Sequence, residues 1–179
     1  MATGSYAEPT AVDPTPAGLL WFPGQAGFAG GEVTDAALWA RHMLSGRGAP
    51  IHILMIEDDP AIAEMYRVQL EHDGYRVTIA STAEVGLTTM SEQAPDIVLL
   101  DLLLPDLSGF ELLVALNERL PNHPPVVILS NYGEPSMIDR GRSLGAIEYL
   151  VKSRVTPSEI SGQIPSWVEQ GRRGRRGES

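Results

Sequence analysis

The chain has 179 residues, with 13 basic and 23 acidic side chains and a formal net charge of −10. That length suits one domain with an appendage, and 43% hydrophobic residues are enough for a packed core, which excludes wholesale disorder. Cysteine is absent, which excludes disulfide scaffolds, thiolate zinc sites and cysteine nucleophiles, and the acidic balance argues against a mainly nucleic-acid-binding surface.

Charge and composition change along the chain. Residues 1–50 carry a net −2, residues 51–170 carry −11 and the last nine carry +3. The first segment holds eight glycines and five prolines and reads as a poorly ordered extension, with one short helix over 34–45 capped by Thr34. Met1 is followed by no basic region and no long apolar run, and no stretch approaches the ~20 residues that span a bilayer. The chain therefore reads as a cytoplasmic protein.

From Ile51 onward, short apolar runs alternate with amphipathic stretches. The runs are Ile51–Ile56, Tyr75–Ala80, Ile97–Leu100, Val126–Leu129 and Ala146–Val151, each with the profile of a strand buried on both faces. Helix-length segments lie near 60–73, 82–93, 109–120, 135–144 and 156–169. Asp59-Pro60 supplies a capping carboxylate and a first-turn proline, and Thr156-Pro157-Ser158-Glu159 is a capping box. The first helix groups Ile62, Met65, Tyr66 and Leu70 on one side, and the last groups Ile160, Ile164 and Trp167. Gly162 and Pro165 interrupt that last helix, which predicts a short, kinked or frayed element. Five βα repeats imply a parallel sheet covered by helices.

Ligands of such sheets bind at the carboxyl ends of the strands. There the chain places Glu57-Asp58-Asp59 after strand one and Asp101 at the end of strand three. Ser130 closes strand four, and Lys152, the only lysine in the chain, follows strand five. Clustered carboxylates repel one another unless a cation is present, and an all-oxygen set suits Mg²⁺. A lysine and a hydroxyl beside them complete a set of groups for phosphoryl transfer.

These residues carry a resemblance. Ile53-Leu54-Met55-Ile56-Glu57-Asp58-Asp59-Pro60, Asp96 through Leu112, Ile128-Leu129-Ser130 and Gly145 through Lys152 resemble the receiver domain of bacterial two-component response regulators, over residues 51–169. Asp58, Asp101, Ser130 and Lys152 follow one another at separations of 43, 29 and 22 residues. The resemblance implies a flavodoxin-like three-layer α/β sandwich, with a five-stranded parallel sheet in the order 2-1-3-4-5 and five helices. It makes Asp101 the phosphoacceptor, loaded by a sensor histidine kinase or phosphotransfer protein. Glu57, Asp58, Asp101 and the backbone carbonyl of Leu103 would hold Mg²⁺, and Lys152 and Ser130 would hold phosphoryl oxygens. Ser130 would shift inward on phosphorylation, and Tyr149 would turn inward behind it as an aromatic switch. Signalling would pass by protein–protein contact to an unknown downstream protein, with a weak dimer left open.

Three features depart from the family pattern. Ser153 stands where a cis-proline usually follows the lysine. Gly162 and Pro165 weaken the last helix, and after Trp167 only a basic stretch, 170–179, remains, without a DNA-binding domain. Two other classes stay open: a receiver-like binding module independent of phosphorylation, and an Mg²⁺-dependent phosphohydrolase. The second would want an aspartate where Leu103 stands. His42, His52, His72 and His123 show no metal-ligand spacing and read as incidental, and Asp106 and Gly109 read as loop chemistry.

Overall fold

The β-branched and leucine-rich runs form five strands: β1 His52–Ile56, β2 Arg76–Ala80, β3 Ile97–Asp101, β4 Val126–Ser130 and β5 Glu148–Val151. The computed structural model describes residues 49–177; the N-terminal extension and its expected helix over 34–45 lie outside the described residues. All strand pairs are parallel, in the order β2-β1-β3-β4-β5. Every residue of β1, β3 and β4 is buried, whereas the edge strands β2 and β5 are partly open. This is what continuous apolar runs produce when helices cover both faces of a sheet.

Those helices are α1 Pro60–His72, α2 Ala83–Gln93, α3 Gly109–Arg119, α4 Pro135–Ser143 and α5 Pro157–Gly177. Alternate strand residues feed two cores. Ile53, Met55, Ile97, Leu99, Val127 and Leu129 pack under α1 and α5 with Tyr66, Leu70, Ile164 and Trp167. Leu54, Ile56, Val98, Leu100, Val126 and Ile128 pack on the other face with Leu112, Leu113 and Leu116 of α3. The result is the expected three-layer sandwich. In α1 the buried stripe runs through Ala63, Tyr66 and Leu70, and Met65 lies outside it, exposed. The sequence assignment of Met65 to the apolar side is thereby corrected.

The caps follow the sequence. Asp59 accepts the amides of Ala61 and Ile62 at 2.8 and 3.1 Å, and Thr156 and Glu159 close their capping box. No cis peptide occurs among the described residues, so Lys152–Ser153 is trans, and Lys152–Arg154 forms a short 3₁₀ turn.

The last helix differs from expectation. It runs 21 residues, from Pro157 to Gly177, through Pro165 and through most of the stretch read as a tail. Pro165 has no N–H for the Ser161 carbonyl, four residues back. That carbonyl instead accepts the Tyr75 hydroxyl at 2.9 Å, and the Ser161 hydroxyl donates to Asp73. Gly162 has no neighbour near its missing Cβ, so it costs only helix propensity. Ile160, Ile164, Trp167 and Val168 are buried and supply the packing that propensity lacks. Farther along, Gly171 lies so close over Pro125 that a Cβ would stand 2.6 Å from the ring, and Arg172 pairs with Asp96 at 2.9 Å.

His52 is also more than incidental. It is buried at the start of β1, with Nε2 2.9 Å from Thr78 Oγ1 and Nδ1 2.7 Å from an Arg76 guanidinium nitrogen. Arg76 donates to Nδ1, which must therefore be the unprotonated nitrogen. Burial first, and then the Arg76 charge, hold the imidazole pKa below its ordinary value, against the opposing charge of Asp96.

Tyr75→Phe removes the substitute donor to a buried carbonyl and is expected to lower stability by about 1–3 kcal/mol in urea unfolding. The loss should be smaller in a Pro165→Ala background, where residue 165 regains an amide for the same carbonyl. A lowered folded-state pKa means that the unfolded chain binds the His52 proton first as pH falls. This contribution to stability is therefore present above about pH 6.5 and declines below it, toward the folded value. The urea midpoint should fall less between about pH 7.5 and 5.5 in His52→Gln than in the wild type.

Candidate functional site

Parallel strands of similar length bring their carboxyl ends to one edge, and β1 and β3 are neighbours there. Register pairs Ile56 with Leu100, so Glu57 and Asp101 are the next residues out on adjacent strands. Ser130 ends β4 opposite Val151, which places Lys152 one residue beyond. Glu57, Asp58, Asp101, Ser130 and Lys152 thus come to one edge of the sheet, as their spacing predicts.

At the centre, Lys152 Nζ lies 2.6 Å from Glu57 Oε2 and 3.0 Å from Asp101 Oδ2. The three side chains are only 7%, 1% and 7% exposed, so this is a buried ammonium bridging two buried carboxylates. Burial alone would push the Lys152 pKa down, but bonding to Glu57 and the charge of Asp101 outweigh it and hold the pKa above its ordinary value. Burial raises the Glu57 pKa, and the Asp101 charge adds to that, against the pull of Lys152. Asp101 Oδ1 accepts the Leu102 amide at 2.6 Å, which orients the carboxylate.

Asp58 is exposed and completes the acidic group: Glu57, Asp58 and Asp101 each offer an oxygen within 4.8 Å of the others. Three carboxylates face one ammonium, so the cluster is under-neutralised by two charges when all are ionised. A hard divalent cation fits both the deficit and the all-oxygen donor set. The cluster can hold a metal ion.

Ser130 is fully buried, and its Oγ accepts the Tyr132 amide at 3.1 Å. Tyr149 is buried, and its hydroxyl donates to the Tyr132 carbonyl at 2.8 Å. The two proposed switch residues therefore meet on the two backbone polar groups of Tyr132, a residue that sequence reading did not assign to the switch. Gly141 of α4 makes room for the ring: a Cβ there would stand 2.9 Å from Tyr149 Cδ2 and 2.8 Å from Ile128 Cδ1. Neither role had a local sequence signal, because both depend on where Tyr149 of β5 comes to lie.

Gly109 needs a different explanation from the backbone freedom expected. Its φ is not among the positive values, but a Cβ would stand 2.4 Å from the Asp101 carbonyl oxygen. The start of α3 is pressed against the end of β3, and the Gly109 amide donates to the Leu102 carbonyl at 2.9 Å. Leu103 follows, with its side chain exposed and its amide 3.4 Å from Asp101 Oδ1.

Residues 53–164 match the response regulator receiver domain family. The transcriptional regulatory protein AfsQ1 of Streptomyces coelicolor is 33% identical over 121 residues, covering 68% of this chain and 52% of that protein. This chain spans about half the length of the curated relatives it matches. The crystal structure of a CheY-like response regulator receiver domain protein from Methanospirillum hungatei is similar, with a TM-score of 0.64 and 28% identity. It covers 70% of this chain and 99% of that one. A receiver domain protein of Clostridium thermocellum gives a TM-score of 0.61 at 31% identity, over 68% and 96% of the two chains. Matched over most of its described length in both sequence and fold, the chain belongs to the response regulator receiver domain family, the phosphoacceptor switch of two-component signalling.

Proposed function

We propose that Asp101 accepts a phosphoryl group from a phosphohistidine of a sensor histidine kinase or phosphotransfer protein in the cytoplasm, and that the loaded domain signals by protein–protein contact. The observation that carries this reading is the buried Lys152 ammonium held between Glu57 and Asp101, with Asp58 beside them.

An Asp101 carboxylate oxygen attacks phosphorus, the O–P bond forms, the N–P bond breaks and its electron pair returns to the donor imidazole. Glu57, Asp58, Asp101 and the Leu103 carbonyl would hold Mg²⁺, which when bound supplies charge neutralisation for the incoming phosphoryl oxygens. Lys152, already within 3.0 Å of Asp101, is placed to pair with one of those oxygens without leaving the site. Leu102 fixes the direction of the carboxylate through its amide. Ser130 holds a second phosphoryl oxygen by turning its hydroxyl away from the Tyr132 amide. That movement reaches Tyr149 through the Tyr132 carbonyl.

The downstream element in this reading is α4. Gly141 is its one buried residue, and Met137 and Ile138 are only partly buried against the core. Arg140 lies 4.5 Å from the Phe110 ring centroid, a cation–π contact that adds one tie to α3. An element so lightly held is repositioned at low cost.

Incubation with Mg²⁺ and acetyl phosphate is expected to add about 80 Da to the intact mass, and Asp101→Asn should abolish the adduct. A folded wild type that acquires no adduct would show a phosphorylation-independent module, and rapid turnover of phosphomonoesters would show a hydrolase. Lys152→Gln leaves two buried carboxylates without their ammonium and is expected to cost about 3–5 kcal/mol in urea unfolding. Added Mg²⁺ should recover more stability in that variant than in the wild type, because a divalent ion offsets the uncovered charge.

A further inference from the structure

Asp106 sits in the loop between β3 and α3, three residues after Leu103, and its carboxylate reaches across to another helix. Oδ1 accepts the Ala83 amide and Oδ2 the Glu84 amide, both at 3.0 Å. Helix α2 already has its own cap, since Thr82 Oγ1 accepts the Val85 amide at 3.2 Å. Asp106 is therefore a second acceptor on the same positive helix end, supplied by a distant loop. Those two amides hold its carboxyl below the ordinary carboxylate range.

The helix end it grips belongs to the other half of the acidic site. The Glu57 amide donates to the Ala80 carbonyl at 2.9 Å, three residues before Ala83. Gly86 lies so close to β1 that a Cβ would stand 2.5 Å from Ile56 Cδ1. The first turn of α2 is thus locked to the segment that presents Glu57 and Asp58. The loop is tied at its start by the Gly109 amide on the Leu102 carbonyl, and at its end by the Ser108–Glu111 capping box. Between those ties, Leu104 and Leu107 pack on the core, and Asp106 makes the polar link to the neighbouring helix.

We propose that Asp106 is a positioning residue for the cation site: by docking residues 103–107 on α2, it sets the Leu103 carbonyl relative to Glu57, Asp58 and Asp101. The inference rests on the reading of Leu103 as a ligand given above. The carboxylate itself touches no ligand. It couples the two segments that supply the donors, so that 57–58 and 101–103 hold one geometry.

Mg²⁺ titration of the ¹⁵N-labelled full chain, followed through the amides of residues 57, 58 and 101–103, tests this directly. Asp106→Ala is expected to raise the Mg²⁺ dissociation constant by up to about tenfold, the low end of what loss of a group bonded directly to a metal ligand costs. Asp106→Asn keeps one acceptor oxygen and should show a smaller loss. Thr82→Ala removes the helix's own cap without touching the loop, and should bind Mg²⁺ as the wild type does. A folded Asp106→Ala chain with the wild-type constant overturns the proposal. A loss in Thr82→Ala equal to that in Asp106→Ala also overturns it, since helix fraying alone would then account for the effect. Should Asp106→Ala fail to fold, a wild-type constant in Asp106→Asn overturns it. If the wild-type amides themselves do not respond to Mg²⁺, it is the cation reading that fails. If they respond and the variants match them, only the role of Asp106 fails.

Discussion

The structure turns on one buried ammonium. Lys152 lies between Glu57 and Asp101, at 2.6 and 3.0 Å, in a place where either carboxylate alone would be costly to bury. The arrangement requires three strands to end together: β1 delivers Glu57, β3 delivers Asp101 and β5 delivers Lys152. A compact, rotatable ammonium can donate to two acceptors from different strands, whereas the planar guanidinium used everywhere else in this chain has a fixed fork. One positive charge against three carboxylates leaves the edge short of positive charge, and that deficit suits a divalent cation.

The same edge is connected to the surface by short polar links. Ser130 and Tyr149 each bond a different group of Tyr132. Both bonds fall on one short peptide segment after β4. The Tyr149 ring in turn fills the space left by the missing side chain of Gly141, on the most lightly buried helix of the fold. The strands under the acidic group and this helix are packed very differently: β4 is buried along its whole length, while α4 commits only Gly141 fully to the interior.

The opposite pole is built differently. There α5 continues to Gly177 past a proline, held by the Tyr75 hydroxyl, by the apposition of Gly171 and Pro125, and by the Arg172–Asp96 pair. Each of these substitutes a tertiary contact for something the local sequence lacks, whether a backbone donor or helix propensity. His52, beneath Arg76 and Thr78, belongs to the same pole, where burial and a neighbouring cation hold its pKa below the ordinary value.

How much of this was legible beforehand follows from the range of the forces involved. The five strands, the Asp59 cap, the Thr156–Glu159 capping box and the set Glu57, Asp58, Asp101, Ser130 and Lys152 could be read from the chain. Apolar periodicity and cap chemistry are local, and parallel strands oblige their ends to meet. Even the solitary lysine pointed to its own importance. The length of α5, the exposure of Met65, the burial of His52, the crowding at Gly109, the bonds of Tyr132 to Ser130 and Tyr149 and the reach of Asp106 to α2 could not be read this way. Most depend on how segments outside the local pattern come together, 86 residues apart for the Tyr75–Ser161 bond and 23 for Asp106–Ala83. The sequence by itself determined which groups stand at the carboxyl edge of the sheet. Tertiary structure decided which of them touch, because hydrogen bonds and close packing act over a few ångströms in space and are indifferent to separation along the chain.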